Sequence, residues 1–467
     1  MKTRKGNKVY QLTSAQKLHY YSMKYCPKKQ VLNIGTGMTI QVELERDKLE
    51  ESIREAIARC ECLRVQFTED KEGNVYQYVA KDQEPVIRHF DFGHWKEEDA
   101  HDLMTEWTST PFELYDSPMY EIVMIRMPED FYGLYVKVNH LIMDAQALIA
   151  FMKDVMEIYS GKVLQDIPFP KDMSSYVKQL EKDLAYEAGS NSSQKDREFF
   201  QNLIASSEPI FTDIYGTAKL EAERKRTGNP NQRAVINTSD NVDANLASFY
   251  LEEDAANDLM KFCEEQHVSL TCLLLMGLRT YLQKENGIDD VSISTTIARR
   301  ATLMEKRCGG TRIHSFPFRT IVSREDTFLE ALYKIRDMQN QYFRHANYSP
   351  AEYYAYRKQY YNLENGQTYE PLALTYQPVL MKYSNEAMDK MDDIQYNVRR
   401  YTNGACAHTL YLTVSHRPMG GLDFCFEHQT GVVTYEKLQE VYFYLCRIMF
   451  HGIEDCSRTV GEIIDWS

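Results

Sequence analysis

The chain has 467 residues, of which 43% are hydrophobic and 12% aromatic, and this apolar content excludes a disordered protein. Its formal net charge of −14 at pH 7 excludes a broad attraction to nucleic acid or to an anionic membrane surface. A chain of this length exceeds one ordinary hydrophobic core, so we expect two domains.

The targeting features of the sequence predict a cytoplasmic protein. The first eight residues are polar and basic, unlike the apolar core of a signal peptide. The longest apolar run, residues 273–278, is far shorter than the roughly 20 residues of a membrane-spanning helix. The ten cysteines are scattered without a Cys-x-x-Cys pair, so we expect buried free thiols and no metal site.

Strands and helices alternate in the first part of the chain. Alternating apolar and polar residues predict strands over residues 38–44, 75–79, 120–127 and 134–138, the last of them half-buried. Apolar residues at helical spacing predict helices that begin near Asp47 and just after Asp144. His140 therefore lies in a loop between a strand and a helix.

A polar segment, residues 186–196, is the best candidate for a linker between two domains. We place the boundary there, which gives domains of residues 1–188 and 189–467. Residues 221–245 lack apolar periodicity and predict a long loop or a disordered excursion. Strands over residues 247–251 and 291–297, with helices over 259–263 and 270–282, then repeat the element types of the first domain.

A His-x-x-x-Asp spacing occurs twice, at His140 and Asp144 and again at His451 and Asp455. With 12 histidines in the chain, about one such match is expected by chance. The second copy follows an amphipathic helix over residues 435–450, and a structural role explains it. The first copy has a more informative context.

The segment Asn139-His-Leu-Ile-Met-Asp-Ala145 resembles the H-H-x-x-x-D-G motif of nonribosomal peptide synthetase condensation domains, within the chloramphenicol-acetyltransferase-like superfamily of coenzyme A-dependent acyltransferases. Other segments resemble further motifs of this family in the family's order, and they are residues 12–16, 59–67, 110–118, 296–300, 310–319 and 463–465. The resemblance covers residues 12–466. This ordered set is far more specific than any single motif.

The resemblance implies an α/β fold of two chloramphenicol-acetyltransferase-like lobes, arranged as a V-shaped pseudo-dimer with the active site in a tunnel between them. It implies a stand-alone condensation enzyme that transfers an acyl or peptidyl group from a phosphopantetheine thioester to an amine. The thioester is a co-substrate, on a carrier protein or as acyl-coenzyme A, and no permanent cofactor or metal is expected. The expected partners are a carrier protein and an amine acceptor, with no nucleic acid and no membrane, and the chain is expected to be a monomer.

The resemblance also implies roles for the motif residues. His140 would be the general base, or a hydrogen-bond acceptor that positions the amine. Asp144 would be structural and paired with an arginine, for which Arg59 is the first candidate and Arg300 the second. Asn139 replaces the first histidine of the motif and has a minor role.

Residues expected near the substrate are Ala145, Arg59, Arg300 and His314. Ala145 replaces the glycine of the motif, and its methyl group either narrows the pantetheine channel or is accommodated. His314 stands where the family often has asparagine, although an ordinary structural role explains it equally, as it does for His408 and His416. The tyrosine-rich residues 342–361 are better explained by helix packing than by a substrate entrance.

Besides amide formation, two alternative functions remain open: an ester-forming O-acyltransferase would use a hydroxyl acceptor, and a degenerate domain would dock carrier proteins without turnover. An epimerase is a weaker fourth reading. The basic runs 28–29 and 224–226 are candidates for contact with an acidic carrier protein, with plain solvated surface as the simpler explanation.

Overall fold

The computed structural model describes residues 3–4, 6–81, 83–164, 169–237, 241–378, 396–417 and 420–467. The chain divides into two compact units, the first made of residues 1–190, 298–313 and 379–405, the second of residues 191–297, 314–378 and 406–467. Neither unit is one continuous stretch of chain. The division into domains of residues 1–188 and 189–467 stays a prediction, and the compact units differ from it mainly by two segments of the first unit that come from later in the chain.

The elements up to residue 187 are β1 Thr3–Arg4, β2 Asn7–Gln11, α1 Ser14–Tyr25, β3 Asn33–Ile40, α2 Arg46–Arg59, β4 Val65–Glu69, β5 Val75–Val79, β6 Ile87–Asp91, α3 Glu97–Ser109, β7 Tyr120–Met127, β8 Phe131–Asn139, α4 Ala145–Val163 and α5 Tyr176–Glu187. The strands predicted over residues 75–79 and 120–127 are confirmed at both ends. The helices predicted near Asp47 and after Asp144 are confirmed as α2 and α4.

The elements from residue 191 onward are α6 Asn191–Ser206, α7 Ala218–Thr227, β9 Val235–Ile236, β10 Ala244–Leu251, α8 Glu253–Glu265, α9 Leu270–Asn286, β11 Asp290–Ile297, α10 Leu303–Arg307, β12 His314–Ile321, α11 Phe328–Arg344, α12 Pro350–Tyr360, β13 Gln367–Thr368, β14 Leu372–Gln377, β15 Tyr396–Tyr401, β16 Leu410–His416, β17 Leu422–Gln429, α13 Tyr435–Glu454 and α14 Val460–Trp466. Of these, α10 and β15 belong to the first unit.

The first unit is built on a five-stranded sheet in the order β15-β3-β8-β7-β6, in which only β6 and β7 are parallel. A smaller sheet has the order β1-β2-β5-β4. Apolar side chains of α2 and α4 bury one face of the larger sheet, and those of α3 pack against its other face. The C-terminal end of the central strand β8 leads directly into the loop that holds His140.

The prediction that residues 134–138 form a half-buried strand is wrong in its burial. Leu134, Val136 and Val138 lie in one core and Tyr135 lies in the other. Lys137 carried the polar half of the pattern, yet its side chain is fully buried. Its amine lies 3.0 Å from the Glu121 carboxylate and donates to two backbone carbonyls, which compensates the buried charge.

The second unit has a six-stranded sheet in the order β10-β17-β16-β14-β11-β12, with parallel pairs β11–β14 and β14–β16. The long helix α9 is apolar nearly all round and lies in the core of this unit. Two tyrosines of the predicted packing stretch, Tyr342 and Tyr353, are also part of this core.

Two predicted irregular segments contain helices. The linker predicted between Tyr186 and Asp196 is irregular only at residues 188–190, because α5 runs to Glu187 and α6 begins at Asn191, stabilised by burial of Phe200 and Ile204. The loop predicted over residues 221–245 is wrong at its start, where α7 runs to Thr227 and ends at Gly228 in the left-handed conformation. The low apolar content of α7 hid a helix that buries little besides Leu220.

All ten cysteines are free thiols, and eight of them are buried. In the part of the chain that the structure describes, no helix combines the length and the apolar character that crossing a bilayer requires.

Candidate active site

The His140 loop connects the end of β8 to the start of α4, and backbone hydrogen bonds fix it on both sides. The Asn139 amide donates to the Met119 carbonyl at 3.0 Å, and the His140 amide donates to the Leu32 carbonyl at 2.8 Å. Because the backbone is fixed immediately before the imidazole, the position of the His140 Cα is well defined.

The side chain of Asn139 is buried and has structural partners at both ends of its amide. Its Nδ2 donates to Asn33 Oδ1 at 3.3 Å, and its Oδ1 accepts from the Leu141 amide at 3.0 Å. An amide is not a base, and this one also holds the turn of the loop. The geometry therefore gives Asn139 a supporting position beside His140.

Asp144 is the N-cap of α4 and is 1% exposed. Its carboxylate accepts from the Ala147 amide at 2.9 Å, from the Arg312 amide at 2.9 Å, and from Arg300 Nη2, which lies 2.9 and 2.8 Å from its two oxygens. These interactions use both carboxylate oxygens and come from three different residues. Asp144 is thus built into the structure of the loop.

Arg300 connects residues 298–313 to the His140 loop. Besides Asp144 it donates to the carbonyls of Glu305 at 2.6 Å and Gly310 at 2.8 Å. Burial works against the charge of Arg300, but the Asp144 carboxylate outweighs it and raises the pKa of the guanidinium. The pair is a buried salt bridge with most of its polar atoms satisfied.

Arg59 was the first candidate for the partner of Asp144, and this prediction is wrong. Its guanidinium lies 3.1 Å from Asp154 and donates to the carbonyls of Pro170 and Lys171. Arg59 is the last residue of α2, which packs along α4. Asp154 lies about 15 Å further along α4 than Asp144, at ~1.5 Å per residue. The end of α2 therefore meets α4 at the wrong turn for the predicted pair.

The imidazole of His140 is half-buried, and among the residues that the structure describes it has one weak polar contact, from Nδ1 to Thr311 Oγ1 at 3.5 Å. Its ring stacks on that of His19 of α1, with ring centroids 4.2 Å apart. Burial lowers the pKa of His140 below its ordinary value of 6.5, and the charge of Asp144 opposes this shift only in part. The imidazole is therefore neutral near pH 7, the form that accepts a proton.

Ala145 and His314 are the two remaining residues expected near the substrate. Ala145 is the first residue of α4, where an ordinary helical backbone suits alanine as well as glycine. His314 begins β12 in the second unit, is fully buried, and its Nδ1 lies 2.9 Å from the Ala346 carbonyl. Contact of either residue with a substrate stays a prediction, as do the roles of His140, Asp144, Asn139, Arg59 and Arg300.

The basic runs considered for a carrier protein are largely engaged within the chain. The amine of Lys29 donates to three carbonyls at the end of α1. Arg226 pairs with Glu223 at 2.7 Å and with Glu364 at 3.1 Å. These contacts favour the simpler explanation of both runs as structural or solvated surface.

Sequence reasoning missed the contacts of His19, Thr311 and Arg312 with the motif. His19 is separated from His140 by more than a hundred residues, and no local pattern connects them. Thr311 and Arg312 lie in the segment 310–319 that resembles a family motif, so a signal existed for their region. Nothing in that signal showed which of its atoms reach the loop.

The fold belongs to the chloramphenicol-acetyltransferase-like α/β class, and its motif loop lies at the end of a central strand. The family profile described as Condensation domain matches residues 6–464, so the chain belongs to the condensation-domain family. This family consists of acyltransferases that form amide bonds.

Curated relatives and solved structures agree with this assignment. Surfactin synthase subunit 1 of Bacillus subtilis (strain 168) is 21% identical over 465 residues, which cover 97% of this chain and 12% of the relative. Gramicidin S synthase 2 of Aneurinibacillus migulanus is 21% identical over 431 residues, which cover 87% of this chain and 9% of the relative. The chain thus spans less than a fifth of the length of these two relatives.

Three solved structures share the fold. The first condensation domain of the calcium-dependent antibiotic synthetase matches with a TM-score of 0.77 and 18% identity, over 97% of this chain and 98% of that chain. A variant of the starter condensation domain of rhizomide synthetase, in complex with C8-CoA, has a TM-score of 0.80 and 18% identity over 97% of both chains. VibH, a condensation enzyme, has a TM-score of 0.73 and 14% identity over 96% of this chain and 99% of that chain.

Proposed function

We propose that this chain transfers an acyl or peptidyl group from a phosphopantetheine thioester to an amine, with His140 at the reacting centre. The amine nitrogen attacks the thioester carbonyl carbon, the carbon–sulfur bond breaks, the thiol leaves, and the amine loses one proton. The observation that carries the proposal is the difference in environment between Asp144 and His140 in the same loop. Asp144 is saturated with structural hydrogen bonds, whereas His140 retains a neutral imidazole.

His140 has two possible tasks in this step, and the same geometry supports both. As a general base it would accept the proton of the attacking amine. As a hydrogen-bond acceptor it would hold the amine in line with the thioester. Asn139 cannot act as a base, and its amide is already occupied by Asn33 and Leu141.

The donor is proposed to be carried by an acyl or peptidyl carrier protein, because the chain belongs to the condensation-domain family and matches part of much longer synthetases. Acyl-coenzyme A is the alternative donor, and the structurally similar starter condensation domain of rhizomide synthetase was solved, as a variant, with C8-CoA. Both donors share the phosphopantetheine thioester. A product assay distinguishes amide formation from two alternatives. One is an ester product from a hydroxyl acceptor, and the other is a docking role without turnover. The cytoplasmic location stays a prediction.

The test compares His140→Ala with His451→Ala, the histidine of the second His-x-x-x-Asp copy. Product formation is followed by mass spectrometry with loaded carrier or acyl-coenzyme A and an amine, and thermal stability is measured in parallel. We expect His140→Ala to lose about 10²–10⁴-fold in rate. His451→Ala should keep the parent rate, because His451 lies in the last turn of α13 in the other unit.

Asn139→Ala supplies a second comparison within the motif. It should lose much less rate than His140→Ala, although its stability should fall because the Leu141 amide loses its acceptor. Turnover by His140→Ala at the parent rate would refute the catalytic assignment. Binding of acylated carrier without any product would favour the docking role instead.

A further inference from the structure

A second histidine lies against His140, and the sequence motif does not contain it. His19 belongs to α1 and is 8% exposed. Its ring and the His140 ring are inclined by only 26°, with centroids 4.2 Å apart, which is face-to-face stacking. The contact joins two elements that are far apart in the sequence.

A hydrogen bond at Nε2 does not explain why residue 19 is a histidine. Its Nε2 is buried and has no hydrogen-bond partner among the residues that the structure describes. Buried polar atoms are usually paired, so an orphaned ring nitrogen requires an explanation. An aromatic ring without nitrogen would fill the same space. The contact that His19 makes with the motif in this structure is the stacking of its ring face on His140.

Helix α1 is held by several hydrogen bonds of Gln16, one of which reaches the His140 loop, so the helix that carries His19 has a defined position. Thr13 and Gln16 form a capping box at the start of α1. The Gln16 amide also donates to the Leu141 carbonyl at 3.4 Å and lies 2.8 Å from the Gln77 side chain. The residue that follows His140 is thus bonded to the same helix that carries His19.

The remaining restraint on the His140 ring is weak. The contact from Nδ1 to Thr311 Oγ1 is 3.5 Å long, at the limit of a hydrogen bond. A weakly held imidazole rotates about its side-chain bonds, and misplacement by about 1 Å lowers rates by as much as 10²-fold. A stacked ring on one face restricts this rotation.

We propose that His19 is a positioning residue for His140, which it holds by ring stacking in the orientation needed for acyl transfer. The inference rests on the proposed function of His140. It follows from two stacked rings and one anchored helix. It predicts that the aromatic face of His19 matters and that its nitrogens do not.

The kinetic test uses C8-CoA as donor and Leu-SNAC as acceptor, the pair bound by a variant starter condensation domain of rhizomide synthetase. We expect His19→Ala to lower kcat by about 10–100-fold with KM within about 3-fold, since ring orientation affects the chemical step. His19→Phe should restore kcat to within about 3-fold of the parent, because phenyl offers the same face. In the His140→Ala background, His19→Ala should cause no further loss.

A structural test does not depend on turnover. Crystal structures of His19→Ala and His19→Phe are compared with the parent: the His140 ring should change orientation in the alanine variant and keep it in the phenylalanine variant. If His19→Ala does not fold, His19→Leu replaces it, because leucine fills the space without an aromatic face. An unchanged His140 ring in the alanine or leucine variant overturns the proposal.

The kinetic outcomes separate this inference from the function beneath it. If His140→Ala keeps the activity of the parent, both the proposed function of His140 and the positioning role of His19 are overturned. Loss of activity in His140→Ala with full activity in His19→Ala overturns only the role of His19. Failure of His19→Phe to restore kcat, or an additive loss in the double variant, also overturns positioning by the ring.

Discussion

Asp144 and Arg300 form the buried pair whose removal should affect stability and activity together. Asp144→Ala would leave the Arg300 side chain, which is 3% exposed, without its carboxylate partner. We expect a loss of about 3–5 kcal/mol in the free energy of unfolding. Denaturant unfolding of the variant and the parent measures this loss.

The matched control for this pair removes both charges. Asp144→Ala combined with Arg300→Met should be less destabilised than the sum of the two single variants, because neither charge is left buried alone. The unfolding free energy of Asp144→Asn should lie between those of the parent and Asp144→Ala, since asparagine still caps α4. Additive losses in the double variant would mean that the two side chains act independently.

The pH dependence of the reaction should report the low pKa of His140. Burial lowers this pKa below 6.5, while the groups facing the ring are the Asp144 carboxylate, which opposes the shift, and His19, itself buried and shifted downward. The neutral imidazole is the active form, so activity is complete above the pKa and is lost as pH falls through it. We expect kcat/KM to be level near pH 7 and to reach half its maximum below pH 6.5.

Circular dichroism at each pH is the control for this profile, because unfolding in acid would also remove activity. A midpoint at or above pH 6.5 with the fold intact would contradict a lowered pKa of the half-buried His140. Since kcat/KM reports the free enzyme, the profile tests the site as the structure has it.

At the scale of elements, the sequence predicted most strands and helices but not which of their faces are buried or what they contact. Alternation marked β8 correctly, yet it also predicted an exposed face, because no local pattern shows that Lys137 has Glu121 as a partner. The helix α7 was missed for the opposite reason. It buries Leu220 and few other apolar residues, so its stability depends on contacts that periodicity does not detect.

Gly133 of β8 offers a test of how tightly the strand that leads to His140 is packed. It pairs with Thr39 of β3, and a Cβ at this position would overlap the Met38 carbonyl oxygen and lie 2.8 Å from the Thr39 Cα. Both atoms belong to backbone and cannot rotate away. We expect Gly133→Ala to cost about 1–3 kcal/mol in unfolding free energy and to lower activity, since β8 carries the His140 loop.

Gly431→Ala is the matched control for this substitution. The nearest atom to its added Cβ would be Asn241 Nδ2 at 3.7 Å, which is an ordinary contact. Its unfolding free energy should stay within about 0.5 kcal/mol of the parent. Equal stability of the two alanine variants would show that β3 and β8 can separate without cost.

At the scale of the whole molecule, chain order and compact units do not coincide. The sequence located the His140 loop, because strand and helix patterns meet there. It offered Arg300 only as the second candidate for the partner of Asp144 and did not place β15 beside β3, since both contacts depend on the return of distant chain to the first unit. Arg300, the second candidate for this pair, is the partner of Asp144, whereas Arg59, the first candidate, pairs with Asp154.

The same observation predicts the behaviour of a fragment that ends at residue 188. Such a fragment lacks Arg300, so Asp144 would keep a buried carboxylate without its cation. It also lacks β15, so β3 would become an exposed edge strand of the main sheet. We expect the fragment to aggregate or to unfold without cooperativity, as measured by thermal melting followed by circular dichroism.

The control is the full chain with a protease site inserted at residues 188–190, cleaved after folding. These residues are exposed and lie between α5 and α6, where a cut removes no hydrogen-bonded element. The cleaved chain should keep the melting temperature of the intact one to within a few degrees, because residues 298–313 and 396–401 remain in place. A fragment of residues 1–188 that melts cooperatively at that same temperature would show that the first unit does not need the later segments.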